Sequence, residues 1–316
     1  MSGGVFLQAV ITGLAVGIVY GLVALGFTMV YALTRVYALA HGDIVVGSVF
    51  IGVLAVLGST PIASTPSGMD SVWLVLVVLG AGAALSAAVY AVAMRPFIGI
   101  AGARAADAVG WVTGAIAAGL AIREVLGLVF TREAYAIPDA LHLSALNGSG
   151  VVSLPGDTTV QVRFFGVFVI GLIVALITQQ LLMRGKLGLA LRASSDDPET
   201  AGLLGVPVER LVLLAFVVAG ALAGLAGLLD APGRPLSLDA GVILGLKAIA
   251  AAYIGRLGSL HGALLGGLVL GVGEQLAVAW PTLGAEYADV MPLALLVAIL
   301  ALRPEGLRGH VAEPVE

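Results

Sequence analysis

Residues 184–210, RGKLGLALRASSDDPETAGLLGVPVER, decide how the rest of the chain is read. They hold Arg184, Lys186, Arg192, Asp196, Asp197, Glu199, Glu209 and Arg210, and apolar runs flank them at 164–183 and 211–229. Each run is long enough to cross a bilayer, so the charged stretch between them is a water-side loop. Its four basic residues assign it to the cytoplasmic face, because Lys and Arg beside span ends set orientation while acidic residues count for little.

The loop carries its own punctuation. Asp197 is placed to cap a helix that begins with Pro198; Glu199 lies in the first turn, Gly205 supplies a left-handed exit and Pro207 follows. The pattern predicts a helix of about two turns over 198–204. So short a helix is marginal alone, and this one would expose Leu203 and Leu204 beside Ala201, so it is expected to pack against a partner.

A composition of 60% hydrophobic and 11% charged residues, with mean hydropathy +1.10, puts the chain among all-α polytopic membrane proteins. The 44 glycines suit helices packed closely in lipid, where small residues let backbones approach. The net charge of -4, with no basic patch interleaved with aromatics, argues against a nucleic-acid partner. With no cysteine there is no disulfide, thiolate metal site or thiol nucleophile. The first 34 residues lack Lys and Arg, which favours a retained span over a signal peptide. No GxxxxGK[ST] loop, metal-ligand motif or catalytic constellation occurs, so the chain is expected to be no enzyme, to hold no metal and no cofactor, and to leave nucleotide to another chain.

Apolar runs fall at residues 6–34, 44–57, 72–94, 105–130, 164–183, 211–229, 237–254, 263–279 and 287–302. They predict about nine segments, within a range of eight to ten, some broken or re-entrant, because 44–57 is short and glycine interrupts several runs. Counting outward from the 184–210 loop puts the amino terminus outside, the long 131–163 stretch outside and the 303–316 tail in the cytoplasm. Within 131–163, LPGDTTVQVRF alternates apolar and polar residues, which is consistent with a small hairpin. Residues 1–316 read as a single transmembrane domain. His-Gly followed five residues later by Gly occurs at 41–47 and at 261–267, a weak internal echo in which both copies would start an outward-going segment at the cytoplasmic side.

Ionisable residues inside spans are functional candidates because burying a charge in lipid costs about 3 kcal/mol or more. The candidates are His41, Asp43, Arg123, Glu124, Lys247 and Glu274. Asp43 is placed to cap a helix and Gly42 separates it from His41; a structural role is the simpler reading for both charged positions. Arg123 and Glu124 are expected to snorkel at the outer interface. Lys247 and Glu274 lie near the middle of adjacent runs and are positioned to pair, either fixing packing or lining a path.

Four stretches resemble the membrane subunits of ATP-driven importers for branched-chain amino acids, nearly end to end. They are GLAVGIVYGLVALGFTMVYALTRVYALAHGD, MRPF at 94–97, GKLGLALRASSDDPETAGLLGVPVERLVLLAF and GLKAIAAAYIGRLGSLHGALLGGLVLGVGEQL. Glu199, Ala201 and Gly205 keep the E-x-A-x-x-x-G core by which such permeases meet their ATPases, and the resemblance implies an ATPase-coupling role for Arg192, Asp197, Pro198, Leu203 and Leu204 as well. It further implies two cytoplasmic ATPase subunits, a second permease, homologous or identical, and an extracytoplasmic substrate-binding protein, all assembled around the lipid bilayer. His41, Gly42, Asp43, Lys247 and Glu274 are then candidates for the pathway or its packing. Arg256, His261, Tyr90, Ala91 and Arg123 depart from the family pattern. They bear on substrate, since related permeases carry urea, short amides or other small organic acids. A secondary transporter or channel without ATPases, and a purely structural subunit, are the rival classes; the first would want several mid-membrane acids, and only Glu274 offers one.

Overall fold

The computed structural model describes residues 3–58, 71–95, 105–131, 133–137, 139–145, 148–154, 158–280 and 290–302. Helix α1, Gly3–Thr34, has neither proline nor charge in 32 residues. At 1.5 Å per residue it is about 48 Å long, well beyond the ~30 Å hydrocarbon core. After α2, His41–Leu57, the chain exits through left-handed Gly58, whose N–H bonds Leu54 O. Helix α3, Ser71–Val89, continues into a π-helical turn, Tyr90–Met94, and α4 is Ala105–Gly127.

The stretch beyond α4 holds the small hairpin, with β1, Val151–Leu154, antiparallel to β2, Thr158–Gln161. Earlier in the same stretch, an isolated bridge pairs Tyr135 with Leu236. Then come α5, Arg163–Met183; two helices of the charged loop, α6, Gly185–Asp196, and α7, Pro198–Leu203; and α8, Val208–Asp230. The last three are α9, Ala240–Ile254, α10, Leu260–Val278, and α11, Val290–Leu302. Among the described residues, nine of these eleven helices fall on the nine apolar runs. Five of them are long and apolar enough to cross a membrane. The 303–316 tail lies outside the described residues.

Packing centres on α1. Its glycines at 13, 17 and 21 meet α10 near 272, 268 and 264, an antiparallel register in which backbones touch. A Cβ on Gly17 would come within 2.8 Å of Gly267 O and of Leu268 Cα, both backbone atoms that cannot step aside. Apolar residues of α1, α2, α8, α9 and α10 close one continuous core around this contact, among them Ile18, Leu22, Ile44, Leu225, Ala251 and Leu264. By contrast Phe165, Val169, Ile173 and Leu176 of α5, spaced by four, four and three, are exposed along one face.

The second run differs from expectation in where it begins. Residues 35–40 turn back along α1: the Tyr37 ring lies 5.1 Å from Tyr31 and 6.2 Å from Phe27, and its hydroxyl is 2.7 Å from that of Tyr253. A Cβ on Gly119, about 21 Å along α4, would meet Ala40 Cα at 3.3 Å, so α2 starts deep beside α4 rather than at the 184–210 end. The other copy of the His-Gly echo is at the α9–α10 turn, where Gly262 packs against Gly255. The two copies therefore occupy different levels, and the echo marks no equivalent pair of segments.

Gly17→Val should cost about 2 kcal/mol or more by overpacking a backbone contact. Purified in mild detergent, this variant is expected to show a lowered melting temperature and loss of the monodisperse species, whereas Gly3→Ala, with open space around it, should behave as the parent.

Candidate functional site

The charged loop folds as a helix-turn built on Asp197. This residue ends α6, its N–H bonding Ala193 O at 3.1 Å, and begins α7, its Oδ1 accepting from Glu199 N at 3.1 Å and Thr200 N at 3.0 Å. The Thr200 hydroxyl donates to Asp197 Oδ2 at 2.5 Å. That bond and the amide bonds hold the Asp197 carboxyl below its usual range. At the other end Gly205, at φ 85°, donates to Gly202 O while Val206 N–H reaches Ala201 O, both at 3.0 Å. These are the paired bonds of a Schellman close, so both ends of this six-residue helix are satisfied.

Pro198 starts the helix; Glu199 and Arg192 are exposed, and Leu203 and Leu204 stand out at 85% and 79% exposure. Ala201 departs from the sequence reading. It is buried at 2% exposure, inside the turn rather than beside the two leucines on the outer surface. Helix α6 was not foreseen. Its Leu191 packs into the cluster of Met29, Leu33, Leu182 and Leu211, and Arg35, just past α1, donates to Ser195 O at 3.0 Å.

Within the bundle, Lys247 and Glu274 meet: Nζ lies 3.0 Å from Glu274 Oε1, with the side chains 0% and 4% exposed. Tyr20 completes the group. Its hydroxyl donates to Glu274 Oε2 at 3.0 Å and accepts from Lys247 Nζ at 3.2 Å. The phenol was missed because nothing in an apolar run marks one tyrosine over another.

Around α2 the structure corrects two expectations. Asp43 does not cap the helix: Ala40 is the cap residue, without a side-chain bond, and Asp43 sits in the first turn. Its Oδ1 instead accepts from Arg123 Nη2 at 3.1 Å. Arg123 therefore does not snorkel; it is 18% exposed and also lies 3.5 Å from Asp239 at the start of α9. Glu124 is exposed. Gly42 packs against Gly241 and Gly245 of α9, and His41 lies buried against Gly26 with no partner for Nε2. His41 and Asp43, two apart in sequence, thus face different neighbours.

Residues 9–300 match the family described as "Branched-chain amino acid transport system / permease component". The chain belongs to this family. It is 30% identical over 313 residues to the LivH permease of Escherichia coli K12, a "high-affinity branched-chain amino acid transport system permease protein", covering 96% of each chain. To BraD of Pseudomonas aeruginosa, described in the same words, it is 31% identical over 311 residues, again 96% of each. Among solved structures, PsaBC from Streptococcus pneumoniae in complex with a Fab matches 95% of this chain and 92% of that one, at 15% identity and a TM-score of 0.46. Among the described residues no three His, Cys, Asp or Glu come together as a metal would need.

Removing one partner of a buried pair strands the other, at about 3–5 kcal/mol, while replacing both with apolar side chains is often neutral. Lys247→Met and Glu274→Met should each lower the melting temperature of the detergent-solubilised permease sharply, and the double variant should recover most of the loss. Additive losses would show that the two charges act separately.

Proposed function

We propose that this chain is the permease subunit of an ATP-driven, binding-protein-dependent importer for branched-chain or related small amino acids, with α7 docking into an ATPase. Residues 1–316 form a single membrane domain in the cell membrane. It works with two cytoplasmic ATPase subunits, a second permease and an extracytoplasmic binding protein, its amino terminus outside and its carboxy terminus in the cytoplasm. Relatives that match over the full length are named for branched-chain amino acid transport, which supports that substrate class over urea, amides or other acids.

The observation that carries the coupling role is α7 itself. A six-residue helix capped at both ends presents two adjacent leucines to solvent beside Glu199 and Arg192. Exposed leucines with a polar rim are the anchor pattern of a helix laid in a groove. The fold holds the helix ready, so docking does not have to meet the entropy of forming it.

Because Leu203 and Leu204 touch so little of their own chain, replacing them should leave the permease fold within about 0.5 kcal/mol. Leu203→Asp with Leu204→Asp is expected to lower binding-protein-stimulated ATP hydrolysis by the reconstituted complex at least tenfold, without altering binding-protein affinity. Unchanged stimulated hydrolysis would refute the docking role. Ala201 is a poorer probe, since enlarging a side chain that is 2% exposed disturbs the turn itself.

Orientation can be read separately, because the chain contains no cysteine. In intact cells Ser149→Cys should react with an impermeant thiol reagent, and Thr200→Cys should react only after the membrane is opened. The opposite pattern would invert the topology.

A further inference from the structure

Among the described residues three that are not glycine have positive φ: Arg35 at 55°, His142 at 50° and Arg256 at 74°. Arg35 follows α1 and Arg256 follows α9, their N–H groups bonding Tyr31 O and Tyr253 O. A left-handed helix exit by itself calls for glycine or asparagine, which adopt it at little cost. Arginine at both exits accepts backbone strain for the sake of where its side chain goes. Both arginines line one cavity of about 470 Å³, between the ends of α1 and α5, helix α6 and the α9–α10 turn.

Arg192 joins them on its wall, and Asp196 is the one acid among the lining residues. Arg192 and Asp196 are both exposed, and neither enters an ion pair among the described residues. Arg35 gives Nη2 to Ser195 O at 3.0 Å, and its Nε and Nη1 bond nothing among the described residues. The Ser259 hydroxyl accepts from Gly262 N–H at 3.1 Å and keeps its own proton to donate. Met29, Leu33, Leu182 and Leu191, also in the lining, are buried, so the charges stand at the mouth and the floor is apolar.

Three guanidinium groups against one carboxylate leave a surplus of positive charge, in the form that meets phosphate with paired donors. A free anion, or a carboxylate on a water-side protein, would answer the charge and leave the apolar floor unfilled. A narrower cleft of about 140 Å³ between α5 and α8 lies beside the cavity, shares Met29, Leu182 and Leu191 with it, and is apolar but for Thr178. Leu181, on that cleft, is 65% exposed. Leu33 and Leu182 close two of the apolar runs, which puts the cavity at the level where lipid headgroups begin. Basic pockets between membrane helices at that level suit anionic headgroups.

We propose that this cavity binds an anionic phospholipid, its phosphate on Arg35, Arg192 and Arg256 and an acyl chain over Leu182 and Leu191 toward the α5–α8 cleft. The importer reading supplies only the leaflet, the cytoplasmic one. Binding itself is measured without reference to orientation or to ATPases, so either reading can fail alone.

The test takes the full-length permease, stripped of lipid in a non-ionic detergent, and reads its melting temperature with added dioleoyl phosphatidylglycerol, dioleoyl phosphatidylcholine or glycerol phosphate. Phosphatidylglycerol is expected to raise it by about 5 °C at saturation, phosphatidylcholine by less than a third of that, and glycerol phosphate not at all. Arg35→Gly with Arg256→Gly, which suits both backbones, should fold and lose the response; Arg192→Gln should at least halve it. Arg210→Gln removes the same charge outside the cavity and should keep it. Should the double glycine variant fail to fold, Arg192→Gln carries the test, and an unchanged response there overturns the proposal. So would an equal response to phosphatidylcholine, a full response to glycerol phosphate, which marks a free-anion site, or a loss as large in Arg210→Gln. No shift with phosphatidylglycerol, joined to poorer retention of ATPase subunits by the double glycine variant, would make the cavity an ATPase contact instead.

Discussion

The backbone contact between α1 and α10 is the constraint from which the rest of the fold follows. Lipid offers no hydrophobic incentive for helices to associate, so close van der Waals approach must supply the cohesion. Glycines at 13, 17 and 21 on one helix and at 267 and 271 on the other allow that approach, because a Cβ at any of them would meet the facing helix at 3.0 Å or less. The register also fixes the rotation of α1. Tyr20, next to Gly21, is thereby turned to the interior, where its hydroxyl meets both Lys247 and Glu274. The glycine contact and the polar triad are thus one piece of geometry.

A second consequence concerns two short apolar helices, α2 with 17 residues and α9 with 15. Their amino termini meet through Gly42, Gly241 and Gly245. Each start carries an acid, Asp43 and Asp239, which suits the partial positive charge that unpaired amides leave there. Arg123 from α4 then reaches both carboxylates. Two broken segments are joined end to end by close backbone contact, and one cation offsets the acids that their termini favour.

Features set by neighbours in sequence were legible in it: the Asp197 cap, the Pro198 start, the Gly205 exit, the nine apolar runs and the turn-rich hairpin. Features set by neighbours in space were not. Position along α4 suggested that Arg123 reaches water, and only the depth at which α2 begins reveals its acid partners. Ala201 lies beside two exposed leucines in sequence, yet the helical turn points it the other way. Arg163 was counted with the external loop because it precedes the apolar run, although the start of α5 buries it against Leu229 O. The Lys247–Glu274 pair was foreseeable because two opposite charges at similar depth in adjacent spans have few other partners to find.

Helix α7 matters mechanically because so little in its attachment can give. Asp197 belongs to α6 and α7 at once, so displacement of α7 turns α6. Helix α6 in turn is held to α1 by Leu191 among Met29 and Leu33 and by the Arg35 bond to Ser195 O. Helix α1 is an uninterrupted rod of about 48 Å that carries Tyr20 of the buried triad midway. Close-packed interiors transmit strain instead of absorbing it. Under the proposed docking role, a push on Leu203 and Leu204 would pass through packed helices to α1, the helix that glycine contact locks in place.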